Sequence, residues 1–179
     1  MLDMEKLSAL AAEAGFTHSA PLDVATLELK EEVRDMCSAN TCRAYGRNWS
    51  CPPACGELED LRKQFAQYSR GILVQTVGEV EDSMDFEGMM EAEATHKEHF
   101  NALHEELLKT WPGLLALGAG ACTRCRECTY PDAPCRFPDK RVSSMEACGL
   151  VVMETCKANG LGYYYGPQSI AYTSCFLLE

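Results

Sequence analysis

Leu114-Leu115-Ala116-Leu117-Gly118-Ala119-Gly120-Ala121-Cys122-Thr123-Arg124-Cys125-Arg126-Glu127-Cys128 is the stretch on which the reading of this chain turns. Its first half follows the stop signal Pro112-Gly113 and is a short run of small apolar residues, as a buried strand would be. Its second half carries the triple spacing C-x2-C-x2-C. Two residues between successive cysteines make a short loop whose thiolates reach adjacent corners of an iron–sulfur cube, and three in a row can wrap one cluster. A tetrahedral zinc site more often takes its ligands as two separate C-x2-C knuckles. Cys135 is the fourth candidate, in Cys135-Arg136-Phe137-Pro138, where proline does not directly follow the thiolate as it does in small bacterial ferredoxins.

Upstream of this stretch, Phe86, Met89, Met90, Phe100, Leu103, Leu107 and Trp111 mark one long amphipathic helix between Met84 and Trp111. Gly71 to Val77 reads as a buried strand, and Glu57 to Tyr68 as a helix with Leu58, Leu61, Phe65 and Tyr68 on one face. From Cys37 to Gly56 the breakers Gly46, Asn48, Pro52, Pro53 and Gly56 leave no period, so a loop is expected. Leu27 to Met36 reads as a helix delivering Cys37, Phe16 to Leu22 as a short strand interrupted by Pro21, and Leu2 to Ala14 as a first helix closed by Gly15. Downstream, Ser143 as N-cap with Glu146 at the capping-box position opens a helix to about Asn159, and Leu161 to Tyr165 and Ile170 to Leu178 are the last two strands. Strands interleaved with helices predict an α/β fold, a small mixed sheet covered by helices and carrying two long cysteine-rich cluster loops. At 179 residues the expectation is a single metal-binding domain over 1–179.

The chain has eleven cysteines. The group that comes first along the chain, Cys37, Cys42, Cys51 and Cys55, has gaps of four, eight and three residues, a looser pattern open to iron or zinc that leans to iron beside the second group at Cys122, Cys125, Cys128 and Cys135. Single free thiols are ordinary in cores, but four within fourteen residues of breaker-rich loop are not. Cys156 and Cys175 lie in apolar contexts and read as core, while Cys148 reads as either core or ligand. A net charge of -11 argues against nucleic acid and anionic membranes as partners, since those attract basic surfaces. The acidic opening, Met1-Leu2-Asp3-Met4-Glu5, does not resemble a signal peptide, and no apolar run approaches the roughly 20 residues that span a bilayer. A cytoplasmic location is therefore expected, where grouped cysteines serve as metal ligands or redox groups more often than as disulfides.

Other candidates carry less. His96, His99 and His104 are expected to be solvent-exposed on the long helix, and Tyr163, Tyr164 and Tyr165 to pack in a sheet or core. Arg124, Arg126, Arg136, Lys140 and Arg141 bring positive charge to the second cysteine loop, either compensating thiolates, raising a cluster potential or docking an acidic partner. Gly118-Ala119-Gly120 lacks the G-x-G-x-x-G pattern of nucleotide binding.

Val33-Arg34-Asp35-Met36-Cys37, Cys42-Arg43-Ala44-Tyr45-Gly46, Trp49-Ser50-Cys51-Pro52-Pro53, Pro134-Cys135-Arg136-Phe137-Pro138 and Ser144-Met145-Glu146-Ala147-Cys148-Gly149 together resemble a prokaryotic family known as domain of unknown function 2284. Its members are described as predicted metal-binding proteins and look like iron–sulfur proteins, often from anaerobes. The resemblance implies that Cys37, Cys42 and Cys51 belong to one motif and Cys122, Cys125, Cys128 and Cys135 to another. It leaves the fourth ligand of the first group open among Cys55, Cys148, a small exogenous ligand and none. An open iron would mean chemistry, and a closed cube electron transfer. The expected function is electron transfer or delivery through two 4Fe-4S clusters to a redox partner protein in anaerobic metabolism, with an enzymatic role undecided. The alternative is a structural or metal-handling protein with two four-cysteine zinc sites.

Overall fold

The computed structural model describes residues 2–179. Its elements are α1 (Met4–Glu13), β1 (His18–Asp23), α2 (Glu31–Ser38), α3 (Leu58–Phe65), β2 (Arg70–Glu79), α4 (Phe86–Leu108), β3 (Leu115–Gly118), β4 (Ser143–Ser144), α5 (Val152–Ala158) and β5 (Ser169–Leu177), with short 3-10 turns between. The five strands form one sheet in the order β1-β2-β5-β3-β4. Every neighbouring pair is antiparallel except β3 and β4, which run parallel, so the sheet is mixed as expected.

The continuous apolar run in β2 reflects burial of both its faces. Ile72 and Val74 pack with Leu7 and Ala11 of α1 and with Phe100, Leu103 and Leu107 of α4. Leu73 points the other way, with Leu58, Leu61 and Phe65 of α3, Cys156 of α5 and Met145, Cys148 and Cys175. Helices thus cover the sheet on both sides, and each fully buried Leu or Phe contributes roughly 1.5–3 kcal/mol. Pro21 does not interrupt β1, because β1 is an edge strand and a residue without an N–H is tolerated there.

Helix ends follow local chemistry. Asp3 Oδ1 accepts from Lys6 N (3.1 Å) at the start of α1, and Asp85 Oδ1 from Gly88 N (2.9 Å) at the start of α4. Gly15, at φ +103, ends α1 where any Cβ would stand 2.5 Å from His99 Nε2.

Further expectations are corrected. The helix predicted from Leu27 begins only at Glu31, because Lys30 is held extended and its N–H donates to Gly149 O at 2.8 Å; Cys37 consequently lies inside α2. The helix predicted from Ser143 to Asn159 is broken. Ser143 and Ser144 pair with Leu117 and Gly118 as strand, and Ser144 Oγ, not that of Ser143, accepts from Ala147 N (3.0 Å) in the one 3-10 turn that follows, Glu146–Cys148, whose N-cap is Met145. Gly149, at φ +84, ends that turn, and α5 spans only Val152–Ala158. Leu161 to Tyr165 is not a strand. Its backbone is tied to a side chain of the sheet, with Gln75 Nε2 donating to Gly162 O (3.0 Å) and Tyr165 Oη to Gln75 Oε1 (2.6 Å). The three tyrosines are accordingly exposed instead of packed.

Candidate metal centre

The first cysteine group is spread over three pieces of backbone that converge. Cys37 is in the last turn of α2, Cys42 is exposed in a turn, and Cys51 and Cys55 flank Pro52 and Pro53. The loop is stitched from within. Asn40 Oδ1 accepts from Tyr45 N (3.1 Å), and Asn48 Oδ1 accepts from both Ser50 N (3.1 Å) and Ser50 Oγ (2.6 Å). Cys55 N donates to Cys51 O (3.1 Å), closing the turn between those two thiols. The Cys55 thiol donates to Ala147 O at 3.8 Å, which brings the first loop against the 3-10 turn that holds Cys148.

The second group lies around a single cavity. Cys122, Cys125, Cys128 and Cys135 all line one cavity of about 260 Å³, rimmed by Arg47, Arg124, Arg126 and Arg141. Within that loop Arg136 Nη1 donates to Glu127 O (2.7 Å) and Thr129 Oγ1 to Pro134 O (2.8 Å). The two loops also hold each other. Cys122 N donates to Ser50 Oγ (3.2 Å), Trp49 Nε1 donates to Ala133 O (3.0 Å), and the Trp49 ring meets Tyr130 edge-on at 4.9 Å.

Burial raises the thiols of Cys37, Cys51 and Cys55 above the usual range. Burial pushes the Cys148 thiol up to about 12, and the neighbouring Cys55 adds to that. Cys42 acts in the same direction on Cys37 and Cys51, and Cys122 on Cys51, so the two groups sense one another. Arg34 is the cation that opposes these shifts at Cys37, Cys55 and Cys148. Its Nη2 donates to Gly56 O (2.8 Å), while Nη1 is buried without a hydrogen-bond partner, alone among buried side-chain nitrogens and oxygens of the described residues. Among the described residues, no group of three or more His, Cys, Asp or Glu side chains stands ready, as placed, to hold a metal ion.

The histidines are where the expectation fails. His96 is completely buried, with Nδ1 3.0 Å from Thr76 Oγ1 and Nε2 2.7 Å from Ser174 Oγ. His104 is also buried and sits 3.2 Å from Arg124 Nη2, supporting the second cysteine loop from α4. Arg124 and Lys140 of that loop reach Glu105 at 3.7 and 3.0 Å. The signal was available: His96, Phe100 and His104 recur at intervals of four, on one face of α4. Cys156 and Cys175 are buried in the core as expected, and Cys148 packs with them.

The model of one protein family, described as "Predicted metal-binding protein (DUF2284)", matches residues 20–178. No curated protein and no solved structure matches the chain. No helix of the described residues is long and apolar enough to cross a membrane.

Proposed function

This chain belongs to the family of predicted metal-binding proteins called domain of unknown function 2284, and from that premise we propose that it is a cytoplasmic iron–sulfur protein that passes single electrons to a redox partner in anaerobic metabolism. In this reading one domain holds two 4Fe-4S clusters. Cys122, Cys125, Cys128 and Cys135 hold one, and Cys37, Cys42 and Cys51 hold the other with Cys55 as fourth ligand and Cys148 as the alternative to it. The observation that supports the reading is the cavity of about 260 Å³ lined by all four cysteines of the second group. A polynuclear cluster fills volume between its ligands, whereas zinc draws four thiolates onto one atom at about 2.3 Å. The buried, unpartnered Nη1 of Arg34 supports an anionic occupant beside the first group.

Clusters of this kind, when bound, accept and release one electron at a time. The chain's own residues set the conditions for that. The arginine rim offsets thiolate charge in a protein of net charge -11. The Ser50–Cys122 and Trp49–Ala133 bonds keep the two loops in contact, so that two centres would be neighbours.

The test is elemental analysis of protein purified without air. The reading requires a brown protein absorbing near roughly 400 nm with about eight iron and eight sulfide per chain. About two zinc and no sulfide overturns it in favour of the alternative, a redox-inert protein in which two four-cysteine zinc sites staple the loops.

A further inference from the structure

The guanidinium of Arg34 is built into the protein with one of its three nitrogens, Nη1, buried and without a partner. It stands on α2, one helical turn before Cys37. Nη2 is spent on the carbonyl of Gly56, the residue after Cys55, and so clips the exit of the first loop to the helix. Nη1 is buried and has no acceptor, and the guanidinium charge acts to lower the thiols of Cys37, Cys55 and Cys148. Among the described residues no carboxylate is paired with it.

An arginine remains charged at every pH a protein meets, and a buried donor of a charged group left unpaired costs more than a neutral one. Every other buried side-chain nitrogen or oxygen of the described residues has a partner. A buried cationic donor without an acceptor favours an anion nearby, and the thiols that feel this charge are those of Cys37, Cys55 and Cys148. A thiol is a poor acceptor, but a metal-bound thiolate or a bridging sulfide is an anionic one. The backbone holds this arrangement firmly. Lys30 N donates to Gly149 O, and a Cβ on Gly149 would come 2.9 Å from Lys30 O, so the turn bearing Cys148 is pressed onto the start of the helix that bears Arg34 and Cys37.

We infer that Arg34 forms an anion-accepting position at the first centre, in which Nη1 donates to a metal-bound thiolate or sulfide sulfur while Nη2 holds the loop. This rests on the proposal that the first cysteine group binds metal. It accounts for an arginine at this place, since lysine has one nitrogen and cannot hold Gly56 and the sulfur in a planar fork at once. Arg34 is a positioning residue here, acting through the thiolates.

The experiment is an anaerobic cobalt(II) titration of the metal-free full-length chain, following the thiolate-to-cobalt charge-transfer absorption. Cys37→Ser identifies the component that belongs to the first centre, and Cys125→Ser the component that belongs to the second. Arg34→Gln is expected to weaken the first component by roughly ten- to a hundredfold, the equivalent of one hydrogen bond to a charged acceptor, and to leave the second unchanged. Arg34→Lys, which keeps the charge without the fork, is expected to fall between. Equal cobalt affinity at the first centre in wild type and Arg34→Gln overturns the inference. Equal loss of both components overturns it too, because a purely structural clamp would do that. Absence of any thiolate–cobalt absorption in the wild type overturns the metal reading itself, and this inference with it. Absorption that is present but indifferent to Arg34 overturns this inference alone.

Discussion

Lowering the pH from 7.5 to 5.5 will destabilise this protein through two histidines that the fold keeps neutral. Burial holds His96 down to about 3 from the ordinary 6.5, with His99 and Lys97 pushing the same way. Burial also holds His104 down to about 4, with Arg124 and Lys140 reinforcing the shift and Glu105 opposing it. The unfolded chain takes up protons at these rings as pH falls through 6.5, and the folded chain does not until about 4 and 3. Stability therefore falls on acidification, and the loss saturates only below those lower values. Between pH 7.5 and 5.5 linkage gives a loss of about 1.4 kcal/mol for each histidine and about 2.7 kcal/mol for the pair. The perturbation to make is His96→Gln, which can still bridge Thr76 and Ser174 but does not titrate. Urea unfolding of wild type and variant, carried out without air at pH 7.5, 6.5 and 5.5, reads the difference. The variant is expected to lose about 1.4 kcal/mol less than wild type over that interval. Acid release of metal affects both proteins alike and cancels in the comparison. Parallel pH profiles for the two would refute the argument, since they would show that the His96 ring is protonated equally in folded and unfolded protein.

Two further substitutions test the ground under the first centre. Cys55→Ser is expected to lower iron or convert the first cluster to a three-iron form in the visible and electron paramagnetic resonance spectra, whereas Cys148→Ser leaves them intact; Cys148 is 1 % exposed, within an apolar cluster that disfavours its thiolate, and the reverse pattern would move the ligand to Cys148. Gly149→Ala is expected to cost about 2 kcal/mol in chemical unfolding, because φ is +84 and the new Cβ meets the backbone oxygen of Lys30; a loss within 0.5 kcal/mol, roughly the scale of an ordinary surface change, would show that the turn is free to shift.

What a local pattern can specify was legible in the amino-acid order. The buried run from Gly71 to Val77, the period of α4 and the breakers around Pro52 and Pro53 each act within a few residues, and the corresponding elements stand where they were expected. Cys122, Cys125 and Cys128 of the C-x2-C-x2-C run line one cavity with Cys135, although no three of these side chains stand placed to hold one metal ion among the described residues. The errors came where a distant partner overrode a local preference. Ser143 has good capping chemistry, but β3 claims it as a strand partner, and Gly149 must turn to fit beside Lys30. Tyr163 to Tyr165 have strand propensity, but Gln75 holds that segment through side-chain hydrogen bonds.

Sequence alone determined the two cysteine groups, the alternation of strands and helices and the acidic balance, since each follows from residue type and spacing. Only tertiary structure decided that His96 and His104 are buried, that Ser50 and Trp49 join one cysteine loop to the other, and that Arg34 keeps a bare buried donor while its charge reaches the thiols of Cys37, Cys55 and Cys148. The physical reason is that burial and hydrogen-bond satisfaction belong to neighbours in space. No window of sequence contains residues 34, 55 and 148 together; the docking of the 146–149 turn onto α2 does.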